Sequence, residues 1–133
     1  MRPTSTRFTI AIIHRNGLNR LQKVLNSAIK NANDLDEILI IDNSSTDKSI
    51  KQIEQNKVYK NIIIIKNSCN TGYAYSCNQA MQIGKGECFL LCNNDIELPE
   101  NCFNDFKKIF IKSPKSGIIG GQLFDFNQNK VGS

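Results

Sequence analysis

Two acidic side chains stand where short apolar runs give way to polar residues: Asp42 after residues 37–41 (EILII) and Asp95 after residues 87–92 (ECFLLC). Asp95 closes an Asn93-Asn94-Asp95 stretch, so its nearest neighbours bring carboxamides and no charge. A lone carboxylate flanked by amides suits a hard divalent cation. Mg2+ or Mn2+ takes one or two protein carboxylates and completes its shell with water and phosphate oxygens. Asp42 is a fixed hydrogen-bond acceptor. Uracil or thymine offers it one matching donor, N3–H, which cytosine lacks. Two more polar groups follow apolar runs: His14-Arg15-Asn16 after residues 8–13 (FTIAII), and Asn70-Thr71-Gly72 a few residues beyond 61–65 (NIIII). Taken singly, such clusters read as turn and cap chemistry, which Asn, Asp, Ser and Gly all favour. His14 alone reads as a satisfied strand-end histidine. Asn93-Asn94-Asp95 fits the cap reading less well, because the helix it could serve starts several residues later, near Pro99.

Other chemistries lack their signatures. There is no GxSxG elbow for a nucleophile, no GxGxxG after the first apolar run, and no GxxxxGK[ST]. Triad hydrolysis, dinucleotide redox chemistry and P-loop phosphoryl transfer are therefore disfavoured.

Holding four polar clusters together needs a scaffold, and the apolar pattern supplies one. Residues 8–13, 37–41, 61–65, 87–92 and 117–121 (GIIGG) are short and mostly Ile-rich, as strands buried on both faces are. Between the first two, Leu18, Leu21, Leu25, Ala28 and Ala32, with Val24 and Ile29, keep the i, i+3, i+4 rhythm of one helical face. Ser44-x-x-Asp47 reads as a capping box opening a short helix that carries Ile50 and Ile53. Ala74, Cys77 and Met81 form a stripe across residues 71–84, which Gly84-Lys85-Gly86 ends. Pro99 opens a helix lined by Phe103, Phe106 and Phe110, and Ser113-Pro114 stops it. Alternating strands and helices predict an α/β fold with a mostly parallel sheet and right-handed crossovers. Ligands of such sheets sit beyond the carboxyl ends of the strands, and all four polar clusters gather on that rim. The opposite rim receives turn residues such as Asn33-Asp34, Lys57 and Lys85-Gly86. Residues 123–133 turn polar, lose periodicity and read as chain leaving the sheet.

A chain of 133 residues holds one domain with a real core. Its 40% hydrophobic and 22% charged residues match a soluble globular protein. No apolar run nears the roughly 18 residues of a membrane span. The stretch MRPTSTRFTI is not a signal peptide, so the expected compartment is the cytoplasm. Five cysteines without a CxxC pair match neither a zinc site nor a disulfide framework, and Cys88 and Cys92 read as small core residues. The formal charge of +5 comes without a basic block. It describes a lysine-rich surface able to attract a diphosphate or an anionic membrane, while nucleic acid is disfavoured.

In this order and spacing, the segments FTIAIIHRNG, EILIIDNSSTDKS, NSCNTGYAYSCNQAM and GKGECFLLCNNDIELP resemble the glycosyltransferase family 2 pattern from residue 8 to about residue 121. The Asn-Asn-Asp variant is similar to rhamnosyltransferase-like members. The resemblance implies a Rossmann-like GT-A half, with sheet order 3-2-1-4 and helices on both faces. It implies that Asp42 holds the pyrimidine or ribose of a UDP- or dTDP-sugar, with Asn93 near the ribose and Asp95 as the metal-facing carboxylate of the DxD position. His14, Arg15 and Asn16 would line the nucleotide pocket with Asn43, Asn70, Gly72 and Asn94.

The chain departs from the family in two respects. Asn93 stands where Asp is commoner, which removes one negative charge beside the metal. Family members are also longer, and the general base of inverting members, Asp or Glu, comes from the second half, which nothing after Gly121 resembles. The expectation is a single donor-binding domain over residues 1–133, stopping before the acceptor-binding half and inactive alone. In the complete enzyme it would bind a UDP- or dTDP-sugar with Mn2+ or Mg2+ for transfer to a hydroxyl of a glycan or lipid-linked acceptor. The alternative is a non-catalytic nucleotide-sugar-binding or interaction module. A nucleotidyltransferase ranks third, because His14-Arg15-Asn16-Gly17 is a poor version of a basic, Gly-rich loop. Polysaccharide synthesis is the family's usual context. Homo-oligomerisation, and peripheral contact with the inner face of the membrane, are the remaining expectations about partners.

Overall fold

The computed structural model describes residues 7–125 and 127–131. Four parallel strands make its main sheet: β1 (Phe8–His14), β2 (Glu37–Asp42), β3 (Ile63–Lys66) and β4 (Cys88–Asn93), in the order β3-β2-β1-β4. The expected 3-2-1-4 order is therefore present. β1 is buried at all seven positions, because it lies between two strands and carries branched side chains towards both faces. β3 is an edge, and its Ile63 is exposed.

Each strand ends one residue later than its apolar run, so His14, Asp42, Lys66 and Asn93 belong to the ladder and not to the loops. Backbone pairing needs no apolar side chain, and a polar last residue hides the strand's true end.

Helices cover both faces. On one, Ile10, Ile12, Ile38 and Ile40 pack under Leu21, Val24, Leu25 and Ala28 of α1 (Leu18–Asn31) and Ile50 and Ile53 of α2 (Ser49–Gln55). Phe103 of α4 (Cys102–Lys112) joins this core and stacks on Phe8 with ring centroids 5.3 Å apart. On the other face, Ala11, Ile13, Leu39 and Ile41 meet Cys77 and Ala80 of α3 (Tyr73–Ile83). Cys88 and Cys92 are small core residues as expected, and Cys69 is the exposed cysteine. No helix among the described residues is long and apolar enough to cross a membrane.

Several expectations are corrected. Residues 117–121 form no strand; Ile118 is 93% exposed, because this glycine-flanked pair finds no neighbouring ladder. A separate antiparallel pair follows instead, β5 (Leu123–Phe124) with β6 (Lys130–Val131). Asp125 pins its turn by accepting the N–H groups of Asn127 and Asn129 at 2.9 and 2.8 Å. Ser44 and Asp47 form no capping box: α2 starts at Ser49, and its N-cap position makes no side-chain cap. The buried stripe of α3 is Ser76, Cys77 and Ala80, while Ala74 and Met81 face solvent. Pro99 sits in the turn before α4, not in its first turn. Ile29 is exposed, and Phe106 and Phe110 are only half-buried. The readings of residues 1–6, and of 126, 132 and 133, lie outside the described residues.

The rim at the amino ends of the strands is closed. The Glu37 carboxylate accepts the Thr9 hydroxyl and the Lys85 N–H, and Gly86 N–H donates to Thr9 Oγ1 at 2.8 Å. Burial works against that carboxylate, but these bonds and the nearby Arg7 hold its pKa below the ordinary value.

Candidate functional site

At the carboxyl ends, the register sets His14 beside Asp42 and Asp42 beside Lys66, with Asn93 one step back beside Ile13. Because all four strands are parallel, the loops that follow them rise from the same rim. Lys66 turns outward to Glu54 at 2.7 Å.

The loops after β1 and β2 are knitted together. Asn16 and Gly17 both take left-handed backbone angles (φ 58 and 95), as does Ser44 (φ 62), so both loops turn sharply. The Asn16 carboxamide accepts the N–H groups of Thr46 and Asp47 at 2.8 and 3.3 Å, and the Asn16 backbone N–H donates to Ser45 Oγ at 2.9 Å. Asp47 accepts the Gly17 N–H at 2.7 Å, at the start of α1. Burial works against the Asp47 carboxylate, but bonds from Ser49 and Gly17 outweigh it and keep its pKa low. Asp42, only 6% exposed, spends Oδ1 on the Ser45 hydroxyl and on the Ser45 N–H at 3.2 Å. Its Oδ2 receives only a long contact from the same N–H at 3.4 Å, so one acceptor edge stays open.

Asn43 organises the next loop. Its N–H donates to His14 O at 2.8 Å. Its side-chain oxygen accepts the Thr71 hydroxyl at 2.9 Å, Asn67 Nδ2 at 3.2 Å and the Thr71 N–H at 3.3 Å, and its amide donates to Gly72 O at 3.3 Å. Asn70 accepts the Gly72 N–H at 3.1 Å, and Gly72 (φ 83) makes the turn into α3. Asn67 and Gln79 exchange two amide bonds of 3.0 Å.

His14 is fully buried between the start of α2 and the loop after β4. One ring nitrogen, Nε2, meets Ser49 Oγ at 2.8 Å, and the other, Nδ1, meets Asn94 Nδ2 at 2.8 Å. Burial, above all, pushes its pKa below 6.5 against the pull of Asp42 and Asp47, so the ring is neutral at pH 7.

The ten residues singled out by sequence thus divide. His14 and Asn94 spend their polar side-chain atoms on each other, on Ser49 and on the Asn16 backbone oxygen, those of Asn16 and Asn43 go to neighbouring rim residues, and Gly72 acts through its backbone. Arg15, Asn93 and Asp95 are exposed and make no side-chain hydrogen bond or ion pair among the described residues. With Asn70 and Oδ2 of Asp42, they are the groups left for a ligand. No three His, Cys, Asp or Glu side chains cluster among the described residues. The donor set therefore fits a cation that draws most of its shell from phosphate and water, not an all-protein metal cage. Ser49 and Gln79 were not read from the sequence, and Asp47 was read only as a helix cap; the only signal for them was the density of Ser, Thr and Asn beside the rim residues. Two shallow concavities of about 430 and 490 Å3, at residues 113–116 and along α4, lie away from the strand ends.

Solved structures share this architecture. TarS 1–349 from S. aureus, in complex with UDP-GlcNAc, superposes with a TM-score of 0.70 at 20% identity over 80% of this chain and 31% of its own. The mannosyltransferase PcManGT from Pyrobaculum calidifontis, in complex with GDP-Man and Mn2+, gives 0.68 at 17% identity over 86% and 34%. TarS 1–349 with UDP gives 0.68 at 16% identity over 92% and 43%. The chain thus spans less than half the length of each. No curated protein sequence matches it significantly. The family model described as "Glycosyl transferase family 2" matches residues 9–131, from the start of β1 to the end of β6. That match takes in both the sheet and every rim loop, and the chain belongs to glycosyl transferase family 2.

Proposed function

We propose that this chain binds a UDP- or dTDP-sugar together with Mn2+ or Mg2+ and presents the sugar for transfer to an acceptor hydroxyl. The reading rests on one observation. Asp42 ends β2 and Asp95 follows β4, the two strands that flank β1, and each keeps carboxylate oxygen free on the same rim. The sugar nucleotides in the complexes of TarS and of the Pyrobaculum mannosyltransferase, the latter with Mn2+, support it.

In this reading, Oδ2 of Asp42 accepts N3–H of the base. Arg15 offers a charge to the diphosphate, and Asn70 and Asn93 offer amides to the ribose and its neighbours. His14, Asn16, Asn43, Gly72 and Asn94 shape the pocket by holding its loops. Asp95 would hold the cation, which when bound neutralises charge growing on the leaving diphosphate. The acceptor, and the base that takes its proton, are assigned to a region outside these 133 residues. The Asn93-Asn94-Asp95 variant supports a rhamnosyltransferase-like member, and polysaccharide synthesis in the cytoplasm, at the inner membrane face, is the context we assign. A nucleotide-sugar-binding module without turnover uses the same site, and the chain's span of 31% of TarS 1–349 favours keeping it as the second reading.

Calorimetry of UDP and dTDP with and without Mn2+ tests the proposal. Asp95→Ala should abolish the gain that Mn2+ brings. Asp42→Ala should weaken binding with or without metal. Each charge-assisted contact is worth about 1.5–3 kcal/mol, on the order of 10- to 150-fold in affinity. If Asp95→Ala loses thermal stability yet keeps the full Mn2+ gain, Asp95 only caps the turn before α4 and the proposal fails.

A further inference from the structure

The Asn94 carboxamide has one possible orientation. Its Nδ2 lies 2.9 Å from the backbone oxygen of Asn16, which can only accept, so the group there is the NH2 and it donates. The same NH2 donates to His14 Nδ1 at 2.8 Å, which leaves that nitrogen without a proton. His14 Nε2 therefore carries the proton and donates to Ser49 Oγ at 2.8 Å, and Ser49 donates in turn to the Asp47 carboxylate. The result is one directed line, Asn94 to His14 to Ser49 to Asp47, ending on a carboxylate that also accepts the Gly17 N–H. It joins the loops after β1, β2 and β4 through a ring that is 0% exposed and touches no solvent. Burial keeps the ring neutral, as the line requires.

We propose that His14 is a positioning residue for the metal loop, acting through Asn94 to hold Asn93-Asn94-Asp95 in the arrangement that lets Asp95 meet a cation and its diphosphate. The inference rests on the assignment of Asp95 to the cation. An amide held by two fixed acceptors cannot swing, and the residue next to it inherits that order. Without the line, the loop must be ordered when the ligand binds, and the cost falls on the metal-dependent part of the affinity.

The test uses the full chain, with UDP and Mn2+ as probes, and two readouts: calorimetric affinity, and 15N–1H spectra of the Asn94 side chain and the 93–95 amides. His14→Leu can make neither bond, His14→Gln can present an acceptor to Asn94 and a donor to Ser49, and Asn94→Ala breaks the line from its exposed end. His14→Leu should shrink the Mn2+ gain roughly five- to tenfold, the worth of one such bond, over and above any change it makes in metal-free UDP affinity. His14→Gln should recover most of the gain, and Asn94→Ala should reproduce the loss. The spectra should show the Asn94 side-chain signal displaced in His14→Leu and near its native position in His14→Gln. Equal losses with and without metal would mark a merely structural role and overturn the proposal. A full Mn2+ gain in Asn94→Ala overturns it too, whether or not His14→Leu folds. If the wild-type chain shows no Mn2+ gain, the assignment of Asp95 falls. The spectra then judge His14 alone, and unchanged 93–95 signals in His14→Leu refute its positioning role.

Discussion

The Asn43 side chain ties three rim residues together, and replacing it by Ala measures that hold. The side chain is 4% exposed and makes four hydrogen bonds, one of 2.9 Å to the Thr71 hydroxyl and three of 3.2–3.3 Å to Asn67, the Thr71 N–H and Gly72 O. Giving the short bond about 1 kcal/mol and each longer one about 0.5 kcal/mol totals roughly 2.5 kcal/mol. Thr71 and Asn67 are half-exposed and can recover water, so the expected loss is about 2 kcal/mol. At roughly 3–5 °C per kcal/mol for a chain of this size, Tm should fall by about 6–10 °C. Urea denaturation gives the free energy directly. Thr71→Val removes the short bond, together with two 3.4 Å contacts of its hydroxyl to Asn67 and Ser76, and should cost about 1 kcal/mol by itself but less in the Asn43→Ala background. A loss below about 0.5 kcal/mol for Asn43→Ala, or strict additivity of the pair, would refute the view that Asn43 anchors the 67–72 loop.

Three further outcomes follow from other parts of the molecule. A Cβ on Gly86 would lie 2.4 Å from the Thr9 backbone nitrogen and 2.8 Å from the Phe8 carbonyl carbon. Since backbone must move to admit it, Gly86→Ala should cost about 1–3 kcal/mol in thermal denaturation, while Gly117→Ala, in open space, should be near neutral. The pKa of His14 is lowered by burial first, with Arg20 adding to that and Asp42 and Asp47 opposing it. The unfolded chain therefore binds a proton that the folded one refuses; stability is complete above pH 6.5 and is lost as pH falls from there through the folded value. Glu37 and Asp47, lowered from 4.5 and 3.8, lose theirs only at more acid pH. Denaturation curves between pH 7 and 5 should slope for the wild type and flatten in His14→Gln; parallel slopes would clear His14 of the effect. Finally, the 133-residue chain alone should release no UDP from a UDP-sugar in an acceptor-dependent way, and robust turnover would place the base among the rim residues.

The four strands of the sheet were legible because a strand buried on both faces has to be largely apolar, and 8–13, 37–41 and 87–92 are. Residues 117–121 look the same locally, but nothing in a five-residue window says whether a ladder stands alongside, and none does. The false capping box has a similar cause. Asp47 is three residues from Ser44, but its partners are Ser49 and, across 30 residues, Gly17. At the site, sequence placed the polar clusters at the carboxyl ends of the strands, where the structure has them. It could not separate residues that build the rim from residues that face a ligand, because Asn43 and Asn93 differ only in long-range partners. The Asn43 side chain is spent on Asn67, Thr71 and Gly72, and that of Asn93 makes no hydrogen bond among the described residues.

The central place of β1 also sets an order of events during synthesis. His14 is joined to Ser49, 35 residues downstream, and to Asn94, 80 residues downstream. Once β2 has left the ribosome, β1 can pair with it, but residues 43–87 must still be added before β4 can take the other side. At about 5–20 residues per second this interval lasts roughly 2–9 s. Throughout it, the edge of β1 that will meet β4 has no partner strand, which opens it to chaperone capture or to mispairing with a neighbouring copy. The Asp42 side of the rim is thus assembled first in every molecule, and the Asp95 side closes onto it last.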